Sequence, residues 1–453
     1  MIHRDRYDHP ISTDSALAAA RYREGLDLLL SAWPGAEEAL DEVIATDPDF
    51  GLAHAARARL HAIRGEAAKA RTVIQAAQQI SLRRGSERER SEVDVIALAI
   101  HGKTKQALDA ALAHIERWPK DLLVHSMVLS PFGLLAFSGM AEHNQVRVDL
   151  CERLAPHFAS DDWWFLTFRG WAHAENGNAS LGRVLTERAL ELRRNNANGI
   201  HALAHVMHES GTGDEAATLI AGWLPGYARS GTLHGHLAWH AALVSLERGD
   251  TDGALGIYMA NVAPAVSRSP PLNIVSDTAS FLWRLHAYGH AVPARLWQDA
   301  ASYAAGYFGD AGFAFADVHM ALLAAAAGDR AGLERRAAAL TALVDAGELP
   351  AGAVVPTICR AALAFMDEDY AACAHTLEPV AGEVVRIGGS GAQREVIEET
   401  LLVAWMRSGE AAKARKLLDE RLHRRPSPRD SRWLQQIDDL SACPTSSPVY
   451  RAP

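Results

Sequence analysis

Cysteine is scarce in this sequence. Only Cys151, Cys359, Cys373 and Cys443 occur, far apart and without a C-x-x-C pair. That scarcity excludes a disulfide framework and a thiolate metal site, and it suits a reducing compartment. Positive charge is not in excess either. The 45 Lys and Arg face 55 Asp and Glu, for a net charge of −10, which argues against nucleic acid as a partner, because counterion release needs clustered cations. The one basic cluster, Arg421 to Arg429 in "RLHRRPSPR", reads as a solvated helix end. An apolar h-region is missing from the opening "MIHRDRYDHP", so no signal peptide is expected and a cytoplasmic location is. One uncharged run, Leu122 to Ala141, has the length of a bilayer span. A His, three Ser and an internal Pro131 make it a buried helix with its turn instead, so no membrane association is expected. Known active-site fingerprints are missing as well. There is no P-loop, dinucleotide-binding glycine motif, EF-hand, nucleophile elbow or H-E-x-x-H.

What the chain does have is alanine and repetition. Abundant alanine with few β-branched residues points to helix. Segments such as "AHAARARLHAIRGEAAKA", "ALAHVMHESGTGDEAA", "WHAALVSLERGDTDGA" and "LVAWMRSGEAAKA" share one skeleton. A small residue and an apolar stretch lead to a Gly, with another small residue about five positions on. The punctuating residues are Gly65, Gly102, Gly139, Gly177, Gly211, Gly249, Gly289, Gly328, Asp367 and Gly409, spaced 34 to 42 apart. Each unit reads as two amphipathic helices joined by a tight turn whose first helix ends in a positive-φ residue. Such hairpins cannot bury an apolar face alone and have to stack. This period and skeleton resemble the tetratricopeptide repeat, somewhat lengthened. The expectation is all-α: one α-solenoid of about eleven helix-turn-helix repeats in a right-handed superhelix. It would run over 15–430, after an N-terminal extension (1–14) and before a C-terminal tail (431–453).

Five stretches depart from the generic repeat in a characteristic order: "IHALAHV" at 200–206, "HLAWHAALVSLERGD" at 236–250, "DTASFLWRL" at 277–285, "FADVHMAL" at 315–322 and "GGSGAQRE" at 388–395. Together with "SERER" at 86–90 they resemble the family of tetratricopeptide repeat protein 38, from about residue 15 to about residue 430. The resemblance implies the solenoid fold and no particular activity. His208 departs from it, since the family more often has an acidic residue there.

In such solenoids the first helix of each hairpin lines the concave face. With Gly211 as repeat position 15, His201, His205 and His208 take the groove positions 5, 9 and 12. With Gly249 in that place, His236, Trp239 and His240 fall at 2, 5 and 6. Two consecutive first helices would then share a groove wall, with axes roughly 8–10 Å apart. His319 falls at position 6 of its own repeat, like His240.

Three readings of this wall stay open. A small molecule or peptide needs donors and aromatic walls, which His201, His205, His208, His236, Trp239, His240, Trp283 and Arg284 supply. Acid–base catalysis needs a tuned His with an orienting carboxylate. His201, His205, His240, His319 and Asp277 are the candidates, with Glu209 and Asp317 as further orienters. A metal needs imidazoles at i and i+4, which His201/His205 and His236/His240 supply, but no metal or cofactor is assigned from sequence. The bland reading is satisfied core histidines. Similarly, Ser390 and Gln393 form a capping box opening a helix to about Ser408, while Ser390, Gln393 and Arg394 at that helix start are also candidates to hold a carboxylate or phosphate. "DDWW" at 161–164 reads as an N-cap with aromatic staples. The expected partner is a small molecule or peptide in the groove, with homo-oligomerisation left open.

Overall fold

The computed structural model describes residues 2–442. Among them are 23 α-helices and no strand, with short 3₁₀ and π turns between some of them. Helices run in antiparallel pairs, which is the architecture of an α-solenoid of tetratricopeptide-like repeats. No described helix is long and apolar enough to cross a membrane. The run at 122–141 folds as a short buried helix, a break at Ser130 and Pro131, and a single 3₁₀ turn.

The contacts divide the chain into two compact units, where sequence periodicity alone suggests a single continuous array. Among the described residues, unit 1 comprises 2–138, Glu142–Leu203 and Ser230–Leu233; unit 2 comprises Gly139–Ala141, Ala204–Arg229 and 234–442. The helices of unit 1 are α1 (Ala16–Leu30), α2 (Ala36–Thr46), α3 (Gly51–Ile63), α4 (Ala67–Arg84), α5 (Glu87–Ile100), α6 (Thr104–Arg117), α7 (Leu122–Leu129), α8 (His143–Leu154), α9 (Trp163–Glu175) and α10 (Ala179–Leu192). The division then passes through a single unbroken helix, α11 (Ala197–Glu209). Unit 2 continues with α12 (Gly213–Trp223), α13 (His234–Arg248), α14 (Thr251–Ile257), α15 (Pro271–Ala287), α16 (Ala294–Ala305), α17 (Ala314–Ala326), α18 (Arg330–Asp345), α19 (Val354–Met366), α20 (Tyr370–Leu377), α21 (Gly391–Ser408), α22 (Ala411–Arg424) and α23 (Pro428–Ala442).

The turn logic is visible in the backbone. The glycines from Gly65 to Gly328, and Gly409, have positive φ at the hairpin turns. At the ninth turn the left-handed residue is Glu368, φ 59°, one position after the Asp367 picked out by periodicity. A carboxylate residue there carries a conformational cost of roughly 1–2 kcal/mol that glycine avoids.

Unit 1 buries an ionic cluster seeded by "SERER". Ser86 and Glu89 form a capping box, and Arg88 binds Asp121 at 2.6 Å and Glu92 at 3.1 Å. Ser12 donates its N–H to Glu89 at 2.8 Å, and Ile11 and Thr13 are buried. Residues 1–14 are therefore packed in part rather than a loose extension. "DDWW" serves as expected: Asp162 accepts from the Phe165 N–H, and Trp163 and Trp164 are buried.

In unit 2 the first helices pack side by side. Helix α15 touches α13, α17 and α21, and α19 touches α17 and α21. Consecutive first helices pack this way in any solenoid; the contact of α15 with α21, three hairpins further on, closes part of the groove that a peptide-binding solenoid leaves open. Residues expected as a tail from 431 begin inside α23, which buries Trp433 and Ile437. Residues 443–453, Cys443 among them, lie outside the described residues.

Candidate functional site

Helical spacing puts His201, His205 and His208 on one side of α11, and His236 and His240 on one side of α13. Within unit 2 the structure brings three of these together. One ring nitrogen from each of His205, His236 and His240 lies within 4.8 Å of the others, and all three residues are buried. Ring centroids are 4.5 Å apart for His205 and His240, and 4.8 Å for His236 and His240, in edge-on arrangements. Trp239 lies nearly parallel to His236 at 5.2 Å. His201 stacks on Trp171 of α9 at 5.5 Å. Their burial corrects the expectation of an open groove wall: His201, His205, His236, Trp239 and Trp283 are interior residues.

Asp277, on α15, is the orienting carboxylate. Nδ1 of His236 donates to both of its oxygens at 2.9 Å. Burial pushes the Asp277 carboxyl above its ordinary value, a rise that His236 only partly offsets. Of the further orienters expected, Asp317 is engaged elsewhere, by Arg336 and by the Gly312 N–H. His319 is not the counterpart of His240. Its Nδ1 donates to the Phe315 carbonyl at 2.7 Å, its ring packs on Phe315, and burial pulls it down to about 4.

Beside the histidines, unit 2 contains a cavity of about 360 Å³ lined by His208, His240, Arg284, Tyr288, Glu399 and Arg429, among others. Three of these were not singled out by sequence. Arg284 binds Glu399 at 2.8 Å and the Ala392 carbonyl at 2.8 Å. Arg429 donates to Glu399 at 2.6 Å, to the Tyr288 hydroxyl at 2.8 Å and to Asp430. Arg421 joins Asp430 at 2.7 Å, and Arg425 joins Glu395 at 2.7 Å. His208 accepts an N–H from Arg425 at 2.8 Å, with Glu395 3.6 Å away. An acidic pairing is thus present at this position, supplied by α21 rather than by residue 208 itself.

This network corrects the reading of "RLHRRPSPR" as a solvated helix end, since Arg421, Arg425 and Arg429 are all buried. Burial alone pushes Glu395 up, but Arg425, His208 and Arg421 outweigh it and hold the carboxyl well below the usual carboxylate range. Glu399 and Asp430 are held down in the same way, burial being outweighed by Arg284 and Arg429 at the first and by Arg429 and Arg421 at the second. The sequence signal was available in retrospect: Glu395 and Glu399 stand one turn apart on α21, opposite the arginines at 421, 425 and 429.

The remaining candidates have structural partners. Ser390 and Gln393 close the capping box of α21, which ends at Ser408. Arg394 donates back to the Gly389 carbonyl at 2.5 Å, so its guanidinium ties down the turn that precedes the helix. Trp283 donates to Thr400 at 2.8 Å. None of these lines the cavity.

No protein-family profile matches the chain. Among solved structures it is similar to the TPR domain of P58(IPK), at 13% identity over 87% of this chain and 89% of that chain, with a TM-score of 0.21. It is also similar to the structure of Naa15/Naa10 bound to HypK-THB, at 14% identity over 89% of this chain and 63% of that chain, with a TM-score of 0.24. Superpositions this loose carry no argument, and the repeat fold rests on the helix hairpins themselves.

Proposed function

We propose that this chain is a tetratricopeptide-like binding protein whose ligand is a small molecule held in the cavity of unit 2. One observation carries the reading. Nη1 of Arg284 is a buried donor with no hydrogen-bond partner among the described residues, although the rest of that guanidinium is engaged and the residue lines the cavity. A buried N–H without a partner costs roughly 1–3 kcal/mol, and a ligand presenting an acceptor oxygen removes that cost. The surrounding Arg284, Arg421, Arg425 and Arg429 are matched by Glu395, Glu399 and Asp430 with Glu398 at the rim. A balanced site of this kind favours a neutral or weakly charged molecule over a strong polyanion.

The cavity volume falls in the small-molecule range of about 300–1,000 Å³, which favours such a ligand over an extended peptide. The motifs that resemble tetratricopeptide repeat protein 38 contribute His240, Arg284 and Glu395 to this one place, which supports membership of that family. A cytoplasmic setting agrees with the three described cysteines, Cys151, Cys359 and Cys373, which are unpaired.

A second reading, an enzyme, is favoured by the His236–Asp277 pair, since an oriented imidazole is what general acid–base chemistry needs. His236 itself does not line the cavity, so binding is the better-supported reading.

The test is a thermal-shift panel of small amides, carbonyl compounds, carboxylates and phosphates on the full chain and on Leu243→Trp, which fills the cavity. A cavity ligand raises the melting temperature of the parent chain by mass action and leaves Leu243→Trp unmoved. Equal stabilisation of both chains, or none of the parent, overturns the reading.

A further inference from the structure

Three buried histidines of unit 2 belong to two consecutive first helices. His205 stands on α11; His236 and His240 stand on α13. At i and i+4 the two imidazoles of α13 face the same side, and one nitrogen from each of the three falls within 4.8 Å of the other two. We propose that His205, His236 and His240 form a binding site for a first-row divalent transition ion, with zinc as its reference occupant and the fourth position left to water or a ligand. The proposal goes beyond the cavity reading and stands on its own geometry.

The donor set decides the class of ion. Calcium and magnesium require oxygen ligands, and none of the three is a carboxylate. Soft monovalent ions favour thiolate or thioether, also absent from the set. Neutral imidazole suits zinc, copper, nickel, cobalt and ferrous iron. A tetrahedral ion with metal–nitrogen bonds of about 2.0–2.1 Å separates its ligand nitrogens by about 3.4 Å. The spacing here, at most 4.8 Å, therefore has to close by no more than about 1.4 Å, which small side-chain rotations supply without moving either helix.

The surroundings fit as well. Metal-bound histidines characteristically donate their second N–H to a carboxylate, which fixes tautomer and ring plane. Asp277 accepts that N–H from Nδ1 of His236 at 2.9 Å, so that Nε2 is the nitrogen through which His236 would bind the ion. Trp239 lies face to face with the same ring and holds its plane. Asp277 also brings a carboxylate close to where a dication would sit. His240 belongs both to this cluster and to the cavity wall, so an ion held here would adjoin the cavity.

The experiment uses the full chain, stripped with chelator and titrated with Co²⁺ and then Zn²⁺. The expected result is one Co²⁺ per chain with the intense visible bands of tetrahedral coordination, displaced by Zn²⁺. The bands are lost in the His205→Ala/His240→Ala chain. Asp277→Asn, which keeps all three ligands, binds about 10–100-fold more weakly. Should the double variant fail to fold by circular dichroism, the parent spectrum and the Asp277→Asn affinity decide. Failure of the parent chain to bind Co²⁺ stoichiometrically overturns the proposal. So does a bound ion that survives the double substitution in a folded chain, or an affinity unchanged in Asp277→Asn. Leu243→Trp keeps its metal stoichiometry, so failure of the cavity reading and failure of the metal site are read separately.

Discussion

Nδ1 of His236 sits 2.9 Å from both carboxylate oxygens of Asp277, a residue 41 positions later in the chain. Both side chains are buried, at 3% and 2% exposure, so neither can fall back on water. Asp277→Ala leaves the imidazole N–H without its acceptor and is expected to cost about 1–3 kcal/mol. Asp277→Asn retains an acceptor oxygen and costs less. The urea midpoint at unchanged m-value measures both; equal losses for the two variants would show that the pair contributes nothing specific.

Arg429 binds Glu399, Asp430 and the Tyr288 hydroxyl inside unit 2. Removing one member of a buried charge network strands its partners, at a cost of about 3–5 kcal/mol. Arg429→Met should therefore lower the melting temperature by many degrees. Arg330→Met removes an ion pair with Asp367 whose side chains are 53% and 45% exposed, and is expected to cost under about 1 kcal/mol. The comparison is made by denaturant titration of the two variants in parallel.

Stability falls on acidification well before carboxylates titrate. His319 and His125 are buried, and burial lowers both to about 4 from 6.5. With the folded value depressed, the unfolded chain binds more protons between those limits, so stability rises with pH across that window and is complete above it. Each group removes on the order of 3 kcal/mol as pH drops from 6.5 to 4. Glu395, Glu399 and Asp430, whose folded values are lowered, add a further loss as pH falls below the ordinary carboxylate range. His319→Gln should flatten the upper part of this profile, measured as urea midpoints between pH 4 and 7. An unaltered slope would refute the assignment.

Two turn glycines separate strain from contact. Gly177 has φ 88° and open space where a Cβ would stand; Gly211 has φ 69°, and its Cβ would meet the Pro426 carbonyl at 2.8 Å. Gly177→Ala is expected to cost only the left-handed penalty of about 1–2 kcal/mol. Gly211→Ala adds a clash with the backbone next to Arg425 and should cost more. It should also weaken whatever occupies the cavity that Gly211 and Pro426 help to line, readable in the same thermal-shift panel.

Helix hairpins were legible because their determinants are local. Alanine content, the left-handed glycine at each turn and the Ser390–Gln393 box act within one or two turns of chain, and α21 begins and ends where they say. The histidine pairs on α11 and α13 were legible for the same reason, since an i, i+4 spacing fixes a shared side. Their environment was not. Groove positions count as open only if no other first helix covers them, and in unit 2 α15 is met by α21, three hairpins further on, as well as by its neighbours α13 and α17.

Charge shows the contrast most sharply. Arg421, Arg425 and Arg429 look solvated when read along the chain, because their own neighbours are polar and basic. Glu395 and Glu399, on the preceding helix, and Asp430 neutralise them, and Arg284 reaches Glu399 across 115 residues. Sequence by itself determined the helices, their turns and which side chains share a face, all consequences of short-range backbone sterics and helical periodicity. Tertiary structure alone decided which of those faces are buried, which charges meet, and that three imidazoles of unit 2 converge. Burial and ion pairing depend on distances between segments, and no local spacing encodes those distances.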